Sequence, residues 1–390
     1  MPTKDHSNGH DSDPDLAKYV KRVVIRPWFI TPRITPNIWT NIHELLDPEY
    51  IRNETERRLR KSLLEDIALI VSALNVMKNI KEYFIEWNEV DHYHPELYKA
   101  CFTPISQKWL GQLTKLTVKV PPQLLTSFVT SVRLRNLETL EYHFSTGQML
   151  PRDINHIHDG FVVFVNNLKD SLEYISFIST HTSLNLDISR IYGSLGLFPK
   201  LRSISLSVPF DGAHLSDPLA FVGFLEKHRS TLKDINVLTS RCMVHYSPGD
   251  PKSKHWIQNI LTSVNDPFPL LQSLALAMRP LRAPLTNVSV FLEKHSSTLD
   301  SLILADRALD LYELKFLLKP ASGPLDLKGL RHLRVKLANF SPSILYYLAS
   351  KMPGLTCLDI ECSSLIGDGD FVSQLFFYFL YWFFLHLCFS

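Results

Sequence analysis

The sequence predicts an α/β solenoid, and three observations carry that prediction. An apolar pattern of the form Leu-x-x-Leu-x-Leu recurs along most of the chain. Two nine-residue segments, FLEKHRSTL at 224–232 and FLEKHSSTL at 291–299, differ only at Arg229 and Ser296, and each runs on into an alternating apolar stretch. Between the patterned stretches lie segments with apolar residues at three- and four-residue spacing, the mark of an amphipathic helix.

The pattern puts apolar residues at its first, fourth and sixth positions. The clear copies are Leu113/Leu116/Val118, Leu137/Leu140/Tyr142, Leu172/Ile175/Phe177 and Leu201/Ile204/Leu206, then Leu232/Ile235/Val237, Leu271/Leu274/Leu276, Leu299/Leu302/Leu304, Leu330/Leu333/Val335 and Leu355/Leu358/Ile360. Looser copies precede them at Val20/Val23/Ile25 and Ile80/Tyr83/Ile85. Clear copies start 24 residues (113 to 137) to 39 residues (232 to 271) apart, long against a usual period of roughly 20–29. The 60 residues from 20 to 80 hold either a degenerate copy or an insertion.

Helices are expected at 255–264, 311–318 and 343–352, the last stopped by Pro353-Gly354. One strand and one helix cannot bury their apolar faces alone, so the units must stack. A strand that returns through a helix pairs in parallel. The expected fold is therefore a leucine-rich-repeat solenoid, a horseshoe with parallel strands on the concave face and helices outside. Residues 1–15 are expected to lack structure, 16–370 to form the solenoid, and 371–390 to be a hydrophobic tail.

Alternation along each strand points the fourth and sixth positions into the core and the third, fifth and seventh onto the concave face. That face begins with Arg22, Val24, Arg26, Glu82, Phe84 and Glu86. The residues expected to meet a partner are Lys115, Thr117, Glu141, His143, Tyr174, Ser176, Ile178, Ser203, Ser205, Asp234, Asn236, Leu238, Ile303, His332, Arg334 and Lys336. Charged ends around a small or apolar middle match the rim and core of a protein-binding surface. The loop 241–255, rich in Ser, Pro and Gly, is a second candidate surface and also reads as disordered.

Charge and motifs narrow the function. Lys plus Arg is 41 and Asp plus Glu 39, a balance that gives no support to nucleic acid as a partner. The sequence has no phosphate loop, dinucleotide fingerprint or nucleophile elbow. No enzyme activity, cofactor or metal is expected. His92 and His94, and His156 and His158, are expected to be solvated surface residues. The trios Glu226/Lys227/His228 and Glu293/Lys294/His295 recur at equivalent helix ends and read as scaffold, with the cation near its helix C-terminus. Five scattered cysteines without a Cys-x-x-Cys pair suggest reduced thiols. With no apolar run at the N-terminus, the expected location is intracellular, cytoplasmic or nuclear.

The tail 371–390 has no Asp, Glu, Lys or Arg, and an unbroken apolar run of 11 residues from Leu375 to Leu385. A bilayer span needs about 20 apolar residues. A helix covering the open end of the solenoid, or an abnormal chain end, is favoured over a membrane anchor. A membrane-tethered scaffold is the alternative function.

Irregular Leu-x-x-Leu-x-Leu units opened by DPDLAKYVKRVVIRP (13–27) resemble the repeat regions of fungal F-box-type proteins, over about residues 13–370. The resemblance implies a substrate receptor of a cullin-based ubiquitin ligase, with cullin-type ligase subunits as further partners. In such proteins a short helical F-box usually precedes the repeats. The dozen polar residues ahead of the first strand are not expected to form one.

Overall fold

In the computed structural model of the chain, residues 14–26, 48–87, 95–120, 134–144, 150–183, 185–240, 255–281, 284–318, 327 and 329–365 are described. The chain divides into two compact units, Met1–Leu172 with Thr182–Leu184, and Glu173–His181 with Asn185–Ser390. The first unit contains strands β1 (Arg22–Ile25), β2 (Glu82–Glu86), β3 (Lys115–Lys119) and β4 (Thr139–Phe144). Its helices are α1 (Pro14–Ala17), α2 (Pro48–Val76), α3 (Pro95–Gln107) and α4 (Pro151–Asn166). The second unit contains β5 (Tyr174–Ser179), β6 (Ser203–Val208), β7 (Asp234–Thr239), β8 (Ser273–Ala277), β9 (Ser301–Leu309), β10 (His332–Phe340) and β11 (Cys357–Leu365). Its helices are α5 (Ile188–Ser194), α6 (Pro218–Lys227), α7 (Trp256–Ser263), α8 (Thr286–His295), α9 (Leu311–Leu317) and α10 (Pro342–Lys351).

Within each unit the strands are parallel and neighbour one another in chain order, the arrangement of an α/β leucine-rich-repeat solenoid. The register follows the apolar pattern. In the second unit the fourth positions form one ladder, Ile175, Ile204, Ile235, Leu274, Leu302, Leu333 and Leu358. The sixth positions form another, from Phe177 to Ile360. A one-residue slip would turn both ladders to solvent, so hydrophobicity alone fixes this pairing. The inner members are 0–2% exposed, and each fully buried Leu or Ile contributes about 1.5–3 kcal/mol.

In the second unit the first-position leucine closes the turn before strands β6 to β11. Its N–H reaches back three or four residues, as Leu232 does to His228 and Leu271 to Phe268. The carbonyl that follows accepts two N–H groups from the next repeat: Arg202 O from Lys233 and Asp234, Lys233 O from Gln272 and Ser273. Repeat is thereby tied to repeat through backbone, whatever the side chain. Helices cover the sixth-position face. Tyr142 on β4 lies 4.8 Å from the Phe161 ring of α4, and Phe177 on β5 lies 5.4 Å from Tyr192 of α5.

Four expectations meet the structure here. Helices α7, α9 and α10 fall on the three patterned segments within a residue or two. The long first interval is an insertion, because β1 pairs directly with β2 and the 29-residue α2 lies between them. His156 is exposed, but His158 is not a surface residue. It is 2% exposed on the buried stripe of α4 that also carries Ile154, Phe161 and Val165, at the spacing of one helix face. Helical turn α1 begins at Pro14, two residues inside the segment expected to lack structure. His92, His94, residues 241–254 and the tail 371–390 lie outside the described residues.

Candidate partner-binding face

Successive side chains of a strand point to opposite faces. The third, fifth and seventh residues of each copy therefore share the face that the helices leave open. The register lines them up in rows across each unit.

In the first unit the third- and seventh-position rows carry charge ladders. Arg22 lies 3.7 Å from Glu82, and Glu86 sits between Arg26 at 3.2 Å and Lys119 at 2.7 Å. Burial alone would raise the Glu86 carboxyl, but its two cations hold it below the usual carboxylate range. The Glu141 carboxylate accepts from His143 at 2.7 Å, and that bond lowers its pKa. Lys115 is exposed, whereas Thr117, in line with Phe84 and Glu141, is 5% exposed. Exposed pairs of this kind are worth about 0.2–1 kcal/mol each, so they set the character of the surface more than its stability.

In the second unit the fifth-position row reads Ser176, Ser205, Asn236, Ala275, Ile303, Arg334, Asp359. Tyr174, Ile178, Ser203, Asp234, Asn236, Leu238, Ile303 and Lys336 are half-buried, while His332 and Arg334 are exposed. Ser176 and Ser205 are 1% and 7% exposed. Thr117, Ser176 and Ser205, expected to meet a partner, are thus buried: short side chains in mid-strand are covered by their larger neighbours. Burial also pushes the Asp234 carboxyl up, against the lowering pull of Lys233 and a hydrogen bond to Ser203.

One part of this face is concave. A depression of about 570 Å³ gathers Asn236, Leu238, Ile303, Arg334 and Lys336 with Ser207, Thr239, Ala275, Ala305, Asp306 and Glu361. Its floor is apolar and small. Its charges are largely paired, Arg334 with Asp359 at 3.2 Å and Lys336 with Glu361.

The wall beside it is an irregular strand. Leu304 pairs with Val335 and Leu309 with Leu337, so Ala305–Ala308 face the single Lys336. Asp306 in this bulge has φ 75°, a left-handed conformation that Asp tolerates better than most residues. The bulge is held on both sides. The Thr239 hydroxyl donates to the Asp306 carboxylate, spanning β8. Arg307 donates from Nε to Met278 O at 3.2 Å and from its NH1 nitrogen to Glu313 Oε1 at 2.8 Å. Sequence reasoning placed neither Thr239 nor Asp306 in the site. The available signal was SLILADRAL, an apolar alternation broken by Asp-Arg.

The repeated trios are scaffold, with Lys227 and Lys294 in the last turn of their own helices as expected. Both also reach the helix of the preceding repeat. Lys227 Nζ donates to Leu195 O at the end of α5, and Lys294 Nζ to Val264 O at the end of α7. His228 and His295 are 1% exposed. Each bridges its own helix and the preceding repeat: Nδ1 is 2.7 Å from Phe224 O or Phe291 O, and Nε2 accepts from Phe198 N–H at 2.9 Å or Phe268 N–H at 3.0 Å. An N–H can only donate, so Nε2 carries the lone pair and the neutral ring is protonated at Nδ1. The first unit has the same staple in other letters. Lys108 donates to Asn75 O and Trp109 Nε1 to Met77 O, at 3.1 and 2.9 Å. Trp109, His228 and His295 all sit four residues before the strand leucine.

Among the described residues no three His, Cys, Asp or Glu side chains group as metal ligands, and no helix is long and apolar enough to cross a membrane. No family model matches the chain, and no curated protein matches it. Among solved structures it is similar to a chain of the crystal structure of the TLR13–ssRNA13 complex, with 16% identity and a TM-score of 0.34, over 74% of this chain and 37% of that one. The chain thus spans well under half the length of that neighbour. Its place among leucine-rich-repeat solenoids rests on its own parallel, in-register copies of Leu-x-x-Leu-x-Leu.

Proposed function

We propose that the chain is a non-enzymatic protein-binding scaffold whose partner seats on the open face of the second unit. The depression over Leu238 and Ile303 carries this reading. An apolar floor inside a polar rim is the anatomy of a protein interface. The finer reading, from the resemblance of the repeats alone, is the recognition part of an F-box-type ubiquitin-ligase receptor.

Affinity purification with mass spectrometry on the wild-type chain and a Leu238→Glu/Ile303→Glu variant tests both. The variant should keep its circular dichroism and lose a reproducible set of proteins. A set unchanged by the variant overturns the open-face reading. Cullin and adaptor subunits in the wild-type set support the receptor role, and a reproducible set without them sinks it.

A further inference from the structure

The charges around the depression are not all answered from within. Arg334 and Lys336 are paired with carboxylates of β11. Asp306 is exposed, accepts from the Thr239 hydroxyl, and makes no ion pair among the described residues. One hydroxyl uses only part of a carboxylate's capacity, which is about four acceptor positions. The bulge also holds this group in place. Its left-handed backbone persists because Thr239 grips it from β7 while Arg307 ties the next residue to Met278 and Glu313. Strain of this kind survives only where the surroundings enforce it, and it is characteristic of binding sites. A pre-set carboxylate beside an apolar floor costs little further ordering when a ligand arrives.

We infer that the partner presents an extended protein segment carrying a Lys or Arg next to an apolar side chain, the cation pairing with Asp306 and the apolar group seated on Leu238 and Ile303. This rests on the open-face reading above. Charge complementarity decides the sign. The cations at the site are already compensated, so an acidic segment or a nucleic-acid backbone would meet Asp306 with nothing to offset the repulsion.

The test pans a phage-displayed random peptide library on the full chain, then measures synthetic copies of the enriched peptides by fluorescence anisotropy. Enriched peptides should share a Lys or Arg beside an apolar residue. Asp306→Asn, which keeps the left-handed tolerance and an acceptor for Thr239, should weaken them about tenfold, the size expected for one charge pair. It should also flatten their salt dependence. Peptides weakened by Leu238→Glu/Ile303→Glu but indifferent to Asp306→Asn overturn this inference and leave the open face standing. Peptides indifferent to all three substitutions overturn both. No enrichment, enrichment of acidic peptides, or displacement of the peptides by a single-stranded oligonucleotide each overturns the inference.

Discussion

His295 sits between two backbone groups, the Phe291 carbonyl one turn up its own helix and the Phe268 N–H in the repeat before. Its ring also packs on both phenylalanines, with centroids 4.4 and 5.7 Å away. Removing the ring takes the acceptor from a buried N–H and opens a cavity at once. His295→Ala should therefore cost about 2–4 kcal/mol, read as a fall in the urea midpoint at unchanged slope. A loss under about 0.5 kcal/mol would mean that water or a neighbouring side chain takes over both bonds. The repeated Glu-Lys-His announced a structural role from the sequence, and the lysines do stand in the last turns of their helices, but the links to the preceding repeat were not legible. The partners of the lysine and the histidine lie about 30 residues upstream, one repeat away, and spacing within a helix carries no information about them.

Among the elements, α9 is a short helix whose survival depends on its ends. It has seven residues, too few to be stable as an isolated helix. Asp310 caps it, accepting from Glu313 N–H at 2.7 Å, while the Glu313 side chain accepts from Asp310 N–H at 3.3 Å. Glu313 also takes Arg307 from the β9 bulge, so helix start and bulge share one carboxylate. Asp310→Ala should cost about 1 kcal/mol and raise amide exchange in the bulge as well as in α9. Exchange confined to α9 would separate the two elements. The strands themselves were legible, because every inward ladder is apolar and the period of two leaves one register. The bulge was not, because a register shift belongs to the pair β9–β10 rather than to either sequence. Access to Ser176, Ser205 and Thr117 was hidden for a like reason: it depends on what stands beside a small side chain, and rows form only once strands are aligned.

At the scale of the whole molecule, the two units should answer acid differently. The second unit buries three neutral histidines. Burial lowers the pKa of His228 and His295, and brings His214, 6% exposed and 2.9 Å from Ser179 Oγ, down to about 4. Asp211 and Asp187 oppose that shift at His214 without overcoming it. Below an unfolded-state pKa of about 6.5 the unfolded chain binds protons that the folded unit refuses, so stability rises with pH and is lost as pH falls. For His214 the window runs from about 6.5 down to about 4, and the loss over it is about 3 kcal/mol. The first unit has Trp109 where the second has His228 and His295, and an indole does not titrate there; its buried histidine, His158, lies on α4 after β4. Its Glu86 and Glu141, held below their usual range, lose their contribution only as pH falls through the carboxylate region. Hydrogen exchange at pH 5 against pH 7.5, corrected for intrinsic rates, should thus show β6–β9 losing protection while β2 and β3 keep it. Equal loss in both units would mean that the histidines do not govern acid stability. Loss in the first unit alone would place the sensitive groups among its carboxylates. In His228→Gln/His295→Gln the acid sensitivity should shrink to the part carried by His214.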